Sequence, residues 1–266
     1  MCVCVCVSVY VCVCVCLCVC VLVFFNRHTL ALLVCVCRCG HTLASLVCVR
    51  VLAKMSEAVK TGTTIMAVEF NGGVMLAADS RTSTGDYVAN RASRKVSRLH
   101  DRIFVLRSGS AADTQALTAM VRNYLFQHSM ELGEALPAVA TAANLMKVIA
   151  YNNKDNLMAG LIVAGWDARK GAQVYTIPLG GSMHRTPCAI GGSGSGYITG
   201  LVDHLYRPDM TEAECKAFIT KAVAHAMARD GSSGGLIRCV TVTETHVSED
   251  VIYGNDLPFQ LSDTQA

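Results

Sequence analysis

Residues 63–266 predict a layered α+β domain, with two sheets packed face to face and a pair of helices outside each. Three observations lead there. Short runs rich in β-formers are separated by glycine turns. Two longer stretches carry helical spacing or helix-start signals. The order is strands, two helices, strands, two helices, strands, and such blocks argue against a parallel βαβ sheet.

The elements follow in order. TTIMAVEF (63–70) and GVMLAADS (73–80) read as strands joined through Asn71-Gly72-Gly73, a hairpin signal. RIFVLRSG (102–109) is a third strand ending in glycine. Residues 110–130 place Ala112, Leu117, Met120, Val121, Tyr124 and Leu125 at helical spacing. Pro137 is expected to open a second helix, to about residue 153. LMAGLIVAGWD (157–167) and AQVYTIPL (172–179) pair around Lys170-Gly171. Residues 198–206 look helical, and Thr211 with Glu214 forms a capping box for a helix to about residue 228. GLIRCVTVTE (235–244) and VSEDVIYG (247–254) close the domain. No linker, repeat or second domain is expected after residue 63.

The first 54 residues are unlike the rest. Of 15 cysteines, 12 lie before residue 50, in runs such as CVCVCV (2–7) and VCVCVCLCVC (11–20). An almost wholly apolar stretch, 1–25, is long enough to span a bilayer, and a signal peptide is a second reading, without a charged n-region. Cys35, Cys37, Cys39 and His41 could be a metal tract, but their alternation is not the C-x₂-C pairing of zinc sites. The reading preferred here is blander. A GT dinucleotide repeat translates as Val-Cys, so 1–54 is expected to be noncoding repeat captured in a gene model. Met55 would then be the start, and 55–62 (MSEAVKTG) a polar leader. The charge agrees with this partition. The whole chain has a net charge of +3, yet residues 63–266 hold 18 Lys/Arg against 19 Asp/Glu. That near-neutral balance gives no electrostatic case for nucleic acid. Cys188, Cys215 and Cys239, the cysteines after residue 50, suit a reduced compartment.

The chemistry-bearing residues cluster at element ends. Thr63 follows Gly62 at the head of the first strand, Asp79 ends the second, and Lys95 lies in a polar connection, NRASRKVS. Gly109 lies between Ser108 and Ser110, and GGSGSG (191–196) and RDGSSGG (229–235) follow. TTIMAVEFNGG, AADSRT, RSGSAAD, AGWD, IGGSGSGY and RDGSSGG, in that order, resemble the beta subunits of the 20S proteasome, which are N-terminal-nucleophile hydrolases. The likeness covers 63–266 and is greatest to the caspase-like catalytic class; residues 1–54 have no counterpart. It implies a four-layer αββα sandwich, which agrees with the element order.

The resemblance also implies roles. Thr63 corresponds to the nucleophile, freed as a new N-terminus when the Gly62–Thr63 bond is cut. Asp79 and Lys95 are its charged partners, Gly109 the oxyanion-binding backbone, and Ser193, Asp230 and Ser233 the supporting hydrogen-bond shell. Arg107 would floor the pocket for the residue before the cut and favour a carboxylate there. Immunoproteasome relatives carry an apolar residue at that place. Ser83 and Ala111 would hold the substrate strand. No cofactor or metal is called for. Partners would be other alpha and beta subunits and polypeptide substrates, in cytoplasm and nucleus, with no nucleic acid and no membrane. The physics is consistent. A threonine hydroxyl needs a base. Its own α-amino group can serve, with a free-chain pKa of about 8, and that amine exists only once the leader is gone. Gly62 leaves its carbonyl open to attack, and the threonine methyl restricts χ1.

Taken singly, these residues have duller readings. Asp79 could be a turn residue, Lys95 a solvated charge, and Arg107 a partner of Asp101 or Asp113. GGSGSG could be a flexible turn or a phosphate cradle, though it lacks the P-loop lysine. Gly231-Ser232-Ser233-Gly234-Gly235 matches the G-x-S-x-G of serine hydrolases, but with a helix before it and a strand after, the reverse of a nucleophile elbow. A non-catalytic ring subunit is the other alternative; such subunits usually lack Gly-Thr at the leader junction.

Overall fold

A computed structural model describes residues 5–8, 11–13, 18–22, 33–37, 62–84, 87–133 and 136–259. The chain divides into two units, 1–58 and 59–266. In the first, Val5–Ser8 pairs antiparallel with Val11–Val13, and Cys18–Leu22 with Leu33–Cys37. Cys39, His41 and all of the expected leader (55–62) except Gly62 lie outside the described residues. Among the described residues, no helix is long and apolar enough to cross a membrane.

The second unit contains β1 (Ile65–Phe70), β2 (Gly73–Ala78), β3 (Thr82–Thr84), β4 (Tyr87–Asn90), β5 (Val96–His100) and β6 (Ile103–Gly109). Helices α1 (Ala111–Leu132) and α2 (Val139–Asn152) come next, then β7 (Ala159–Asp167), β8 (Gly171–Ile177), β9 (His184–Arg185) and β10 (Cys188–Gly191). It ends with α3 (Ser195–Leu205), α4 (Glu212–Arg229), β11 (Ile237–Thr243) and β12 (Val247–Ile252). Two antiparallel five-stranded sheets result, one ordered β10-β1-β2-β11-β12, the other β9-β8-β7-β6-β5.

Strand alternation turns this order into layers. On β1, Met66, Val68 and Phe70 pack with Ile198, Phe218 and Val223 of α3 and α4. Ile65 and Ala67, on the opposite face, pack between the sheets with Phe104, Ile162 and Val240. Beyond the second sheet, Val105, Leu161 and Val163 meet Leu117, Val121 and Met146 of α1 and α2. Three apolar clusters thus fill the three spaces of a four-layer αββα sandwich, the predicted architecture.

The helix ends have distinct causes. Ser110 caps α1, accepting a bond from the Asp113 N–H, and α1 stops at Gly133 with φ 66°. The Thr211–Glu214 capping box starts α4. Ala138 offers α2 no capping side chain; Asp167, at the end of β7, accepts the Val139 N–H instead, at 3.0 Å.

Some sequence expectations shift. α2 begins at Val139, because that is where Asp167 caps it, and not at Pro137. α3 starts at Ser195, three residues early, because the Ser195 N–H and hydroxyl both donate to the Gly192 carbonyl. In α1, Leu117, Val121 and Leu125 are buried, but Ala112, Met120 and Tyr124 face outward. Thr114 and Thr118 take the core positions, since each hydroxyl can donate to a carbonyl one turn back, at 2.9 and 2.7 Å. Strands β3, β4, β5, β9 and β10 were not expected. β4 is wholly exposed and β9 has two residues, so neither carries an alternation to read.

Candidate active site

The register of the first sheet assembles the site. β1 and β2 pair Ile65 with Ala78, so the residues just before Ile65 lie beside those just after Ala78. The Asp79 N–H donates to the Thr64 carbonyl at 3.1 Å, and the Thr64 N–H donates to Asp79 Oδ1 at 2.9 Å. On the other flank β10 pairs Gly191 with Ile65, which brings GGSGSG against Thr63. The Gly194 N–H then donates to the Thr63 carbonyl at 3.2 Å. Gly192 has φ 86°, and a Cβ there would overlap the Thr63 carbonyl oxygen, so only glycine permits this approach.

Thr63 is 3% exposed. Its N–H donates to Ser193 Oγ at 3.0 Å. The Ser193 hydroxyl donates to Asp230 Oδ2 at 2.7 Å, and the Ser233 hydroxyl donates to the same oxygen at 2.6 Å. Asp230 is held where α4 ends, its own N–H bonded to Ala226 O. Thr64, which the sequence reading passed over, donates from Oγ1 to Ser233 Oγ at 2.8 Å and is fully buried. No local signal marks it, because its partner Ser233 lies 169 positions along the chain.

On the other side of Thr63 stand Lys95 and Asp79, buried at 6% and 0% exposure. Lys95 Nζ donates to Asp79 Oδ1 at 2.7 Å and to the Gly62 carbonyl oxygen at 2.8 Å. Thr63 Oγ1 donates to that same oxygen at 2.7 Å. Asp79 Oδ2 accepts from the Gly234 and Arg81 N–H groups at 3.1 and 3.2 Å. Burial pushes the Asp79 carboxyl up and the Lys95 ammonium down from their ordinary values, and their mutual attraction opposes both shifts. Four donors on Asp79 favour its anion. Lys95 is therefore no solvated charge, and Asp79 is more than a turn residue.

The second sheet supplies the facing wall. Gly109, at the end of β6, has φ 98°, and a Cβ would overlap the Met158 carbonyl. With Thr63 it lines two cavities. The smaller, about 30 Å³, is also lined by Thr82, Ser93, Lys95, Arg107 and Ala111. The larger, about 340 Å³, runs past Ser193 to Met158, Leu179 and Ile190. Arg107 meets neither Asp101, which pairs with Arg98, nor Asp113, which accepts from the Met158 N–H. It donates from Nη2 to the Arg94 carbonyl at 2.6 Å, while its buried Nε has no partner among the described residues. Burial, and then the Arg122 charge, lower its pKa from a very high ordinary value. Ser83 lines neither cavity; its hydroxyl donates to the Ser232 carbonyl at 3.4 Å. Thr82, its neighbour, lines the smaller one.

The duller readings resolve as well. Ser233, fully buried and bonded to Asp230, lies after α4 and before β11, the reverse of a nucleophile elbow. The thiols of Cys188, Cys215 and Cys239 are each pushed up to about 12 by burial and are inert. Among the described residues no His/Cys/Asp/Glu group could hold a metal ion.

A family model for proteasome subunits matches residues 59–242. Proteasome subunit beta type-6 of Dictyostelium discoideum is 53% identical over 204 residues, spanning 77% of this chain and 95% of its own. The chain belongs to the proteasome subunit family. Proteasome subunit beta type-9 of Oryzias latipes is 55% identical, over 77% of this chain and 93% of its own. Proteasome subunit beta type-6 of Arabidopsis thaliana is 50% identical, over 74% and 84%. Within the proteasome subunits the likeness is thus to the beta type, and the fold is the sandwich of N-terminal-nucleophile hydrolases. The matched region holds every residue of the network around Thr63.

Proposed function

We propose that this chain is a threonine endopeptidase subunit of the 20S core, which frees its own nucleophile by cutting the Gly62–Thr63 bond. One observation carries the reading. Thr63 Oγ1 and Lys95 Nζ converge on the Gly62 carbonyl oxygen, with Asp79 behind the lysine. An ammonium on that oxygen draws density from the carbonyl carbon and steadies negative charge as the oxygen becomes an oxyanion. Thr63 Oγ attacks Gly62 C, the C–N bond breaks, and the proton that Oγ gives up passes to the departing nitrogen. Water then hydrolyses the ester, releasing the leader (55–62) as an acid and Thr63 as a free amine.

In turnover, that amine takes the Oγ proton as Oγ attacks a substrate carbonyl. The proton then passes to the departing amine, and water completes the cycle. Lys95 disfavours a second cation and lowers the amine's pKa towards neutrality. Ser193, Asp230 and Ser233 hold the amine and the proton in place, and the Gly109 backbone faces the oxyanion. Arg107 in the small cavity supports cleavage after acidic residues, as in the caspase-like class. Ala111 lines the same cavity and Ser83 lies on β3, so both are assigned to backbone contacts with the substrate strand. The partners are the neighbouring alpha and beta subunits of the particle, and the setting is cytoplasm and nucleus.

Intact mass and N-terminal sequencing of this subunit from purified 20S particles test the reading. An N-terminus of Thr-Thr-Ile-Met, at Thr63, is expected. A retained leader in mature particles would make it a silent ring subunit and end the catalytic assignment.

A further inference from the structure

The reading above uses the small cavity at Arg107 and leaves the larger one unassigned. That larger cavity, about 340 Å³, touches Thr63 and Ser193 and has no charged side chain among its lining residues. Its walls include Met158, Pro178, Leu179 and Ile190. Backbone forms part of it: Gly160 lines it, and a Cβ there would press on Ser108 Oγ at 2.8 Å.

We propose that this cavity is a subsite for an apolar side chain on the residue immediately after the cut bond. The proposal rests on Thr63 being the nucleophile, and the geometry around Thr63 says which side is which. Gly62 marks the acyl side, since its carbonyl belongs to the bond at Thr63. That carbonyl oxygen lies on Lys95 Nζ, and Lys95 lines the Arg107 cavity. Residues before a cut therefore extend towards Arg107. The leaving side is marked by the proton. A departing amine takes its proton from the Thr63 nitrogen, and that nitrogen is held by Ser193 Oγ at 3.0 Å. Ser193 opens onto the larger cavity, so the residue carrying the departing amine faces Leu179 and Ile190.

The chemistry then sets the preference. A charged side chain placed there would lose water and find no counter-charge. A leucine or phenylalanine would trade water for Met158, Leu179 and Ile190. The cavity has room for either. The two cavities together select an acidic residue followed by an apolar one.

The test uses purified particles that contain this subunit, with Thr63→Ala particles as background. Quenched peptides carry Glu before the cut and Leu, Phe, Ala, Lys or Asp after it, and mass spectrometry locates the cut. Leu and Phe are expected to be cleaved about tenfold faster than Lys or Asp, the size of discrimination an apolar pocket gives. Leu179 is 64% exposed at the rim, so Leu179→Asp should fold. It should slow the Leu peptide and speed the Lys peptide, with cutting after Glu retained. A flat profile across the five peptides, or one that Leu179→Asp does not alter, overturns the subsite and leaves the nucleophile reading standing. Equal cleavage of all five by wild-type and Thr63→Ala particles overturns both.

Discussion

The ends of β1 and β2, with the turn between α4 and β11, bring to the cleft polar groups that are buried and already paired with one another. Thr64, Asp79 and Ser233 have no exposure, and each holds at least one bond of 2.9 Å or less within the set. β6 brings a different kind of surface: a half-buried Arg107 whose Nε has no partner among the described residues, and cavities that open beside Gly109. The first sheet is finished before substrate arrives. The second has polar capacity to spare. A buried network tolerates no missing member, because each loss strands its neighbour. A partly open wall can be re-lined. Chemistry and selectivity should therefore fail separately.

Substitutions ranked by expected size press on this contrast. Thr63→Ala should abolish both leader removal and turnover, with cleavage after acidic residues falling to background and the leader still attached by N-terminal sequencing. Normal processing in that variant would refute self-cleavage. Asp79→Asn comes next. It leaves the Lys95 ammonium buried without its counter-charge, a loss of about 3–5 kcal/mol in comparable buried pairs, and it should slow turnover too. A Lys95→Met, Asp79→Asn double variant should recover part of the stability in a denaturant titration but none of the activity. If both recover, the pair is structural only.

On the other sheet, Arg107→Leu should leave Thr63 exposed as the N-terminus and invert selectivity. Cleavage after Glu should fall about 100-fold relative to cleavage after Leu, as expected when a charge-assisted contact is lost. Loss of all activity would deny the division between the sheets. The smallest effect is expected at Asp167, far from the cleft. Its carboxyl is pushed up by burial, but bonds from Gln173 and from the Lys170, Val139 and Arg169 N–H groups outweigh that and hold it below the ordinary range. A depressed folded pKa contributes stability that is present above the unfolded value of about 3.9 and is lost as pH falls through the folded value. Asp167→Asn should cost about 1–3 kcal/mol at neutral pH, because the amide leaves part of four donors' bonding unmet, and flatten the acid limb of the stability profile. Cleavage preference should not change.

Much of this was legible in the sequence, and the illegible parts share a cause. The strands that carry Thr63, Asp79 and Gly109 are apolar runs bounded by glycine, and local pattern exposes them. The element order gave the layers. β10 escaped notice because four residues, CAIG, hold too little pattern. Thr114 and Thr118 took core places meant for larger residues because a threonine hydroxyl can be satisfied inside its own helix. Among site residues, Thr63, Asp79 and Lys95 were singled out by the resemblance that six ordered motifs carry together, since each residue alone has a duller reading. Thr64 and Thr82 were missed because their parts depend on contacts with distant chain: Ser233 for one, the Arg107 cavity for the other.

The borrowed cap of α2 has a consequence for how the chain emerges during synthesis. α1 carries its cap at Ser110 and can close its first turn as soon as that stretch leaves the ribosome. α2 must wait for Asp167, which lies 28 positions beyond Val139. At about 5–20 residues per second, that is a delay of about 1.5–6 seconds. Through that interval the apolar face of α2, with Ala142, Ala143 and Met146, has no fixed helix start. Slowing translation across residues 140–167 would lengthen that exposure, and a nascent-chain chaperone would find its binding window there.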